Sequence, residues 1–171
     1  PRQFKRYQIQ PVWRADRPGR GRFREFYQCD VDALGSTSPV VEAELCAAVS
    51  DALVALGFAD FHIRLNHRRL LTEVLSAAGV PEPLHASALV AIDKLDKIQW
   101  AGVSAELVER GVTAEAIGRL LPVVEGAPTT GEGNGAGLQF VSDFVSGGAD
   151  APASVENLRA ILALDRKSTR L

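Results

Sequence analysis

The chain has 171 residues, of which 46% are hydrophobic and 23% are charged, a composition that indicates a globular protein and excludes a fibrous or disordered one. No run approaches the roughly 20 apolar residues that cross a bilayer, so we expect no membrane partner. No apolar signal segment follows the N-terminus, and Pro1 in place of Met leads us to expect that the natural start lies upstream. Two cysteines without metal-ligand or disulfide spacing favour a reducing compartment, and we expect a cytoplasmic location.

Positive charge is concentrated in the first 25 residues. This segment contains eight basic and two acidic side chains, a net charge of +6, and because the whole chain has a net charge of −2, the other 146 residues carry −8. A local positive field of this kind attracts a polyanion such as a nucleoside triphosphate or RNA. A solvated basic surface with no ligand accounts for the charge equally well.

Residues 4–14 and 22–34 predict a long β-hairpin, because both are rich in aromatic and β-branched residues and a Pro-Gly turn at 17–21 separates them. Side chains alternate between the faces of a strand, so the hairpin has a polar face and a more apolar face. The polar face is predicted to contain Arg6, Gln8, Gln10, Arg14, Asp16, Arg22, Arg24, Phe26, Gln28, Asp30 and Asp32. The opposite face is predicted to contain Tyr7, Ile9, Trp13, Phe23, Tyr27, Cys29 and Val31.

The segment after the hairpin continues this mixed pattern. Ser38 is a suitable N-cap before Pro39, and apolar residues at helical spacing continue to Gly57. A short strand is predicted at residues 61–65, followed by a helix that Asn66 caps and Gly79 ends. We therefore predict that residues 1–80 form one unit and that the fold class is α/β (α+β).

The chain becomes mainly helical after residue 80. Helical stretches at residues 84–98, 100–110 and 114–125 follow without a strand between them, so residues 81–125 are predicted to form a helical unit. Residues 126–137 contain five glycines and predict a flexible linker. A phosphate-binding loop is the weaker interpretation, because no strand precedes it. The last segment, residues 138–171, is predicted to hold a helix at 155–164 after Ser154, then a polar tail.

The polar face of the hairpin carries the residue types of an anion site. A planar guanidinium engages two phosphate oxygens at once and stays charged, which makes Arg14 and Arg22 candidate phosphate ligands. Phe26 is placed to stack on a base, and Gln28 and Asp32 further along the face suit an amine-bearing ligand. A strand pair whose exposed face is merely charged is the alternative interpretation. The histidines and cysteines lack ligand spacing, so no metal site is predicted.

Four segments resemble one protein family. Residues 4–16, FKRYQIQPVWRAD, and residues 21–32, GRFREFYQCDVD, resemble the second signature motif of class II aminoacyl-tRNA synthetases in its histidyl form. Residues 65–71, LNHRRLL, and residues 92–98, IDKLDKI, resemble the sequence between the second and third motifs of that family. The resemblance implies an internal fragment of a histidyl-tRNA synthetase, with part of the antiparallel-sheet catalytic domain followed by part of a helical insertion.

The resemblance implies an ATP site at the hairpin. Arg14 matches the catalytic arginine that contacts the α-phosphate of ATP, and Arg22 matches the residue that reaches the γ-phosphate. Asp16 stands at the acidic position that reads the adenine amino group, and Phe26 would stack on the adenine. Asp16 is shorter than the glutamate of many relatives, which reduces its expected reach.

Two further positions match those that hold the amino acid. Gln28 and Asp32 would bind histidine, Asp32 through the α-ammonium group. The implied reaction is ATP-dependent activation of histidine to histidyl-adenylate and transfer to tRNA(His), with Mg²⁺ carried on the ATP phosphates. The resemblance also implies that the intact protein is a homodimer.

The resemblance is incomplete. The dimer-forming first motif, the third motif and a downstream catalytic arginine are not recognisable in this chain, so the fragment alone is expected to be inactive. A synthetase-like regulatory paralogue, which binds amino acid or tRNA without catalysis, is the alternative. The presence of five pocket residues, Arg14, Arg22, Phe26, Gln28 and Asp32, favours the enzyme.

Overall fold

The structure, a computed structural model, describes residues 3–125, 133–146, 151–164 and 169–170. These residues form strands and helices in mixed order, which confirms the α/β class. No helix among them has both the length and the apolar character needed to cross a membrane. The elements in chain order are β1 (Phe4–Trp13), β2 (Glu25–Leu34), α1 (Pro39–Ala55), β3 (Ile63–Arg64), α2 (Arg68–Ala77), α3 (His85–Ile92), α4 (Leu95–Glu109), α5 (Ala114–Glu125), α6 (Gly133–Phe144), α7 (Ala151–Leu164) and β4 (Thr169–Arg170).

Strands β1 and β2 form the predicted antiparallel hairpin, with ten residues in each strand. Arg6 lies opposite Asp32 and Gln10 opposite Gln28, so the polar side chains of the two strands share one face. The other face contains Tyr7, which lies opposite Val31. The predicted separation into a polar and a more apolar face is therefore confirmed for the paired residues of β1 and β2.

Helix α1 begins and ends at the predicted signals. The side-chain oxygen of Ser38 accepts a hydrogen bond from the backbone N–H of Val40 at 3.4 Å, and Pro39 is the first helical residue. At the other end Gly57 has a φ of 88°, and the N–H of Phe58 donates to the carbonyl of Leu53. This left-handed glycine turn closes the last carbonyls of the helix and directs the chain away from it.

Helix α2 differs from the prediction at its start. Asn66 was expected to be its N-cap, but the N-cap residue is His67, without a side-chain capping bond. The Asn66 side chain instead accepts a hydrogen bond from the N–H of His67 at 2.8 Å, one residue too early to cap the helix. The helix ends at Ala77, and the predicted glycine turn follows at Gly79, which has a φ of 86°. The strand predicted at residues 61–65 is reduced to β3, which pairs in parallel with β4.

The single helix predicted at residues 84–98 is wrong. Helix α3 stops at Ile92, and the chain turns at Asp93 and Lys94 before α4 begins. The turn allows α4 to fold back on α3, where Val103 and Leu107 are fully buried. Lys94 in this turn donates to both carboxylate oxygens of Glu106, at 2.6 and 2.8 Å, and so ties the turn to α4.

One hydrophobic core joins α2 to the helices that follow it. Leu75 of α2 packs in the same buried cluster as Leu107 of α4 and Leu120 of α5. The cluster extends to α6 through Leu138 and to α7 through Leu158. The boundary predicted at residue 80 therefore lies between elements that pack together.

The C-terminal part contains one helix that was not predicted, α6, and one that is longer than predicted, α7. Helix α6 starts at Gly133, so residues 133–137 of the predicted linker are helical, while residues 126–132 lie outside the described residues. Helix α7 starts at Ala151, four residues before the predicted start, and Ser154 is a buried residue within it. Packing of Leu138 into the core outweighs the low helix propensity of the glycines.

Candidate functional site

The tip of the hairpin is a tight turn that brings the predicted phosphate ligands together. Gly19 and Arg22 exchange two backbone hydrogen bonds of 3.0 Å, and the N–H of Arg14 donates to the carbonyl of Arg24 at 2.9 Å. Gly21 has a φ of 73°, a conformation that favours glycine. The turn places Arg22 across from the residues that follow β1.

A cavity of about 330 Å³ lies beside this turn. All four residues predicted to bind ATP line it, together with Gly21 and Phe23. Phe23 was predicted on the more apolar face, and this prediction is wrong because Phe23 precedes β2, where the strand alternation does not apply. The lining residues are Arg14, Asp16, Gly21, Arg22, Phe23 and Phe26. Two guanidinium groups, one carboxylate and two aromatic rings therefore face one space.

Arg14 is held by two side chains of β2. Its guanidinium carbon lies 5.0 Å from the centre of the Phe26 ring, within cation–π range. One of its terminal nitrogens donates to the side-chain oxygen of Gln28 at 3.1 Å. These contacts fix the Arg14 guanidinium over the polar face between the predicted adenine-stacking and histidine-binding residues.

Asp16 and Arg22, which both line the cavity, form an ion pair. A terminal nitrogen of Arg22 donates to Asp16 Oδ2 at 2.8 Å. This hydrogen bond, together with the positive charge of Arg22, lowers the pKa of Asp16 below 3.8, and Arg14 contributes in the same direction. The Nε of Arg24 donates to the backbone carbonyl of Asp16 at 3.3 Å. Asp16 is therefore ionised at neutral pH. Arg22 binds its carboxylate, and Arg24 binds its backbone carbonyl.

The two residues predicted to bind histidine, Gln28 and Asp32, contact different side chains. Gln28 contacts Arg14 and donates through its amide nitrogen to Asp30. Asp32 accepts a hydrogen bond from the Nε of Arg6 at 2.7 Å. Asp32 also lines a second cavity, of about 360 Å³, between the hairpin and α1.

Asp30 and Arg6 were not identified from the sequence as residues that contact the predicted histidine-binding side chains. Asp30 receives the amide of Gln28, and Arg6 binds Asp32. The alternation of side chains placed both residues on the polar face. It does not predict which residue of one strand lies opposite which residue of the other. The missing information was the register, because Arg6 is the cross-strand neighbour of Asp32.

No group of three or more histidine, cysteine, aspartate or glutamate side chains in the described part of the chain is arranged to hold a metal ion. His85, for example, is buried, and its Nε2 lies 2.8 Å from the carbonyl oxygen of Val80. At the tip cavity, the carboxylate of Asp16 is already paired with Arg22. The lining residues thus suit an anionic ligand and do not form a metal-binding set.

The turn thus brings two guanidinium groups, one carboxylate and two aromatic rings to one cavity, an arrangement that suits an anionic ligand. Comparison with known proteins gives the family. The model of the family described as histidyl-tRNA synthetase matches residues 2–136. The chain belongs to the histidyl-tRNA synthetase family.

Individual relatives agree with this assignment. The histidine–tRNA ligase of Gloeobacter violaceus is 53% identical over 124 residues, which cover 72% of this chain and 27% of that protein. The histidine–tRNA ligase of Flavobacterium johnsoniae is 39% identical over 158 residues, covering 92% of this chain and 32% of that protein. The chain thus spans about a quarter to a third of the length of these curated relatives.

The fold is also similar to a solved structure. The crystal structure of histidyl-tRNA synthetase from Nostoc sp. PCC 7120 matches with a TM-score of 0.79 and 28% sequence identity. The match covers 95% of this chain and 37% of that one. The similarity therefore includes the hairpin and also most of the helical part.

Proposed function

We propose that the intact protein containing this chain is a histidine–tRNA ligase and that the hairpin supplies its ATP-binding surface. The cavity lined by Arg14, Asp16, Arg22 and Phe26 carries this proposal, because it combines phosphate-binding and base-stacking groups in a member of the histidyl-tRNA synthetase family. Since the chain spans a minor part of its relatives, the complete reaction also needs residues outside it.

The first step joins histidine to AMP. A carboxylate oxygen of histidine attacks the α-phosphorus, and the bond from that phosphorus to pyrophosphate breaks. Arg14 neutralises charge on the α-phosphate, while Arg22 holds the γ-phosphate. Asp16 accepts from the adenine amino group, and the adenine stacks on Phe26. In the second step a hydroxyl at the 3′ end of tRNA(His) attacks the histidyl carbonyl, and AMP leaves.

The amino acid is proposed to bind along the same face, beyond Arg14. Gln28 already contacts Arg14, so a histidine held at Gln28 would lie next to the α-phosphate. Asp32 supplies a negative charge for the α-ammonium group. Mg²⁺ would enter on the phosphate oxygens of ATP, because the cavity lining offers no unpaired carboxylate for it.

We also propose where the whole protein acts and how its parts are arranged. It acts in the cytoplasm as a homodimer, as inferred from the family. Residues 1–80 belong to its catalytic domain, and residues 81–125 to a helical insertion that lies against the acceptor arm of tRNA. The exposed arginines of the hairpin tip, Arg17, Arg20 and Arg24, add positive charge that favours tRNA approach.

The test is histidine-dependent exchange of labelled pyrophosphate into ATP by the intact protein. Because a preorganised charge-stabilising group contributes about 100-fold to 1,000-fold in rate, Arg14→Ala should lower exchange by that order. Arg20→Ala is the matched control: it removes the same charge from the tip without touching the cavity, and the exchange reaction contains no tRNA. A folded protein that binds ATP or tRNA but shows no exchange would instead be the regulatory paralogue.

A further inference from the structure

The Asp16–Arg22 ion pair joins two side chains that the proposed function assigns to opposite ends of ATP. A terminal nitrogen of the Arg22 guanidinium lies 2.8 Å from Asp16 Oδ2. Both side chains line the tip cavity. In the ligand-free hairpin, the group that would read adenine therefore binds the group that would read the γ-phosphate.

The γ-phosphate and the Asp16 carboxylate compete for Arg22. Both are anions, and placing them together on one guanidinium sets like charges against each other. The phosphate carries more negative charge and has three oxygens for the guanidinium fork, so it is the stronger partner. Binding of a γ-phosphate thus releases Asp16 from Arg22.

Release needs only a side-chain rotation. The Asp16 backbone carbonyl is held by Arg24 Nε at 3.3 Å, and the Arg24 carbonyl binds the N–H of Arg14 at 2.9 Å. The Arg22 backbone is fixed by its two hydrogen bonds to Gly19. None of these bonds involves the Asp16 carboxylate, so the main chain of the tip keeps its conformation when the ion pair opens.

We propose that the Asp16–Arg22 ion pair is a latch that the γ-phosphate opens, so that Asp16 recognises the adenine amino group only in nucleotides that carry a γ-phosphate. This inference rests on the proposed function and adds a specificity-determining role to the pair. The two ends of ATP are then recognised together, and ADP or AMP gains nothing from its amino group.

The size of the effect follows from the exposure of the pair. The side chains of Arg22 and Asp16 are 65% and 41% exposed. Exposed ion pairs of this kind shift an equilibrium by about 1.5-fold to fivefold. A latch of this strength opens readily for ATP and still separates ATP from ADP.

The test uses four nucleotides and the intact, unmodified protein. Dissociation constants are measured by calorimetry at one fixed Mg²⁺ concentration for ATP, for ADP and for the tri- and diphosphates of purine riboside, which have hydrogen in place of the 6-amino group. The latch predicts that loss of the amino group weakens triphosphate binding about 1.5-fold to fivefold more than it weakens diphosphate binding. Equal losses in the two series, including no loss in either, would overturn the latch.

Variants identify the residue responsible. Arg22→Ala frees Asp16 at all times, so the amino group should contribute equally to tri- and diphosphate binding. Arg20→Ala removes the same charge from the same turn and should keep the difference. If the difference persists in Arg22→Ala, another group is the latch. If ATP does not bind the intact protein at all, the proposed function fails together with the latch, whereas ATP binding with equal losses defeats the latch alone.

Discussion

Arg6 and Asp32 are direct cross-strand neighbours at the base of the hairpin, and Arg6 Nε donates to Asp32 Oδ2 at 2.7 Å. Their side chains are 54% and 42% exposed, so the pair is open to solvent. An exposed pair of this kind stabilises a fold only weakly. The contact therefore matters mainly because it sets the direction of the Asp32 carboxylate.

A double-mutant cycle measures this pair. Arg6→Ala, Asp32→Ala and the double variant should give a coupling free energy of about 0.2–1 kcal/mol in urea unfolding, the range of exposed ion pairs. Arg6→Ala combined with Asp30→Ala is the control, because Asp30 lies on the same face but opposite Gln8. An equally large coupling free energy for the control pair would show that the coupling comes from the overall charge of the hairpin face and not from the Arg6–Asp32 contact.

The Phe26 ring should contribute mainly to ATP affinity. Stacking of a base on an aromatic side chain is worth about 1–3 kcal/mol, so Phe26→Leu should raise the KM for ATP roughly tenfold in the exchange assay. Phe26→Tyr keeps the ring under the Arg14 guanidinium and should stay close to the wild type. Similar losses in both variants would indicate that the packing of Phe26, and not its aromatic face, is required.

Glu106 should give the helical part an acid-sensitive stability. Hydrogen bonds from Lys94, then from Arg110, lower the pKa of the Glu106 carboxyl below its ordinary 4.5. A lowered folded-state pKa contributes stability above the unfolded-state pKa, and this contribution is lost as the pH falls through the folded-state pKa. The difference in unfolding free energy between the wild type and Glu106→Gln should therefore be constant above pH 4.5 and shrink below it.

The matched control for this prediction is Glu109→Gln, an exposed position in the same helix. This variant removes a charge from the same helix and leaves the contacts between Glu106, Lys94 and Arg110 in place, so its pH profile is the reference for Glu106→Gln. Parallel pH profiles for the two variants would argue against a special role of the contacts between Glu106, Lys94 and Arg110.

Gln99 should be a site where glycine is better than the natural residue. Its φ of 56° and ψ of 176° interrupt α4 in a region that is essentially reserved for glycine. The strain of about 1–3 kcal/mol exceeds the entropy that a glycine costs, about 0.5–1 kcal/mol, so Gln99→Gly should raise the unfolding free energy by about 1 kcal/mol. Gln99→Ala keeps the strain and should bring no gain. Lower stability in the glycine variant would mean that the kink is not strained.

The apolar face of the hairpin should make the 171-residue chain associate. Tyr7, Trp13 and Tyr27 are 78%, 69% and 76% exposed, and the register places them on one face. Contiguous apolar surface of this kind favours association. Light scattering should show oligomers at high concentration, and Trp13→Lys should reduce them. A monomeric wild-type chain that binds no hydrophobic dye would contradict this prediction.

Local signals predicted the elements whose ends are set by a few residues. The hairpin, the Ser38 cap and the glycine ends at Gly57 and Gly79 all follow from φ preferences and short-range hydrogen bonds. Helix α6 could not be predicted in this way, since its glycine-rich start disfavours a helix and its stability comes from tertiary packing. The break between α3 and α4 has the same origin.

In the candidate site, too, the sequence predicted the local arrangement but not the tertiary contacts. Alternation along the strands brought Arg14, Arg22 and Phe26 to one face, and the structure places them around one cavity. The partners that hold these groups in the free hairpin depend on register and on turn geometry. Arg6 opposite Asp32, and Arg22 against Asp16, were therefore found only in three dimensions.

None of the described members of the main hydrophobic core comes from the hairpin. Backbone amides in β1 and β2 should consequently exchange with deuterium through openings that leave the helical core folded. A ligand that binds the hairpin would slow this exchange without changing the protection of the backbone amides in α2 to α5. Deuterium uptake by the hairpin amides thus reports ligand binding at the hairpin, even when the ligand does not change the global unfolding free energy.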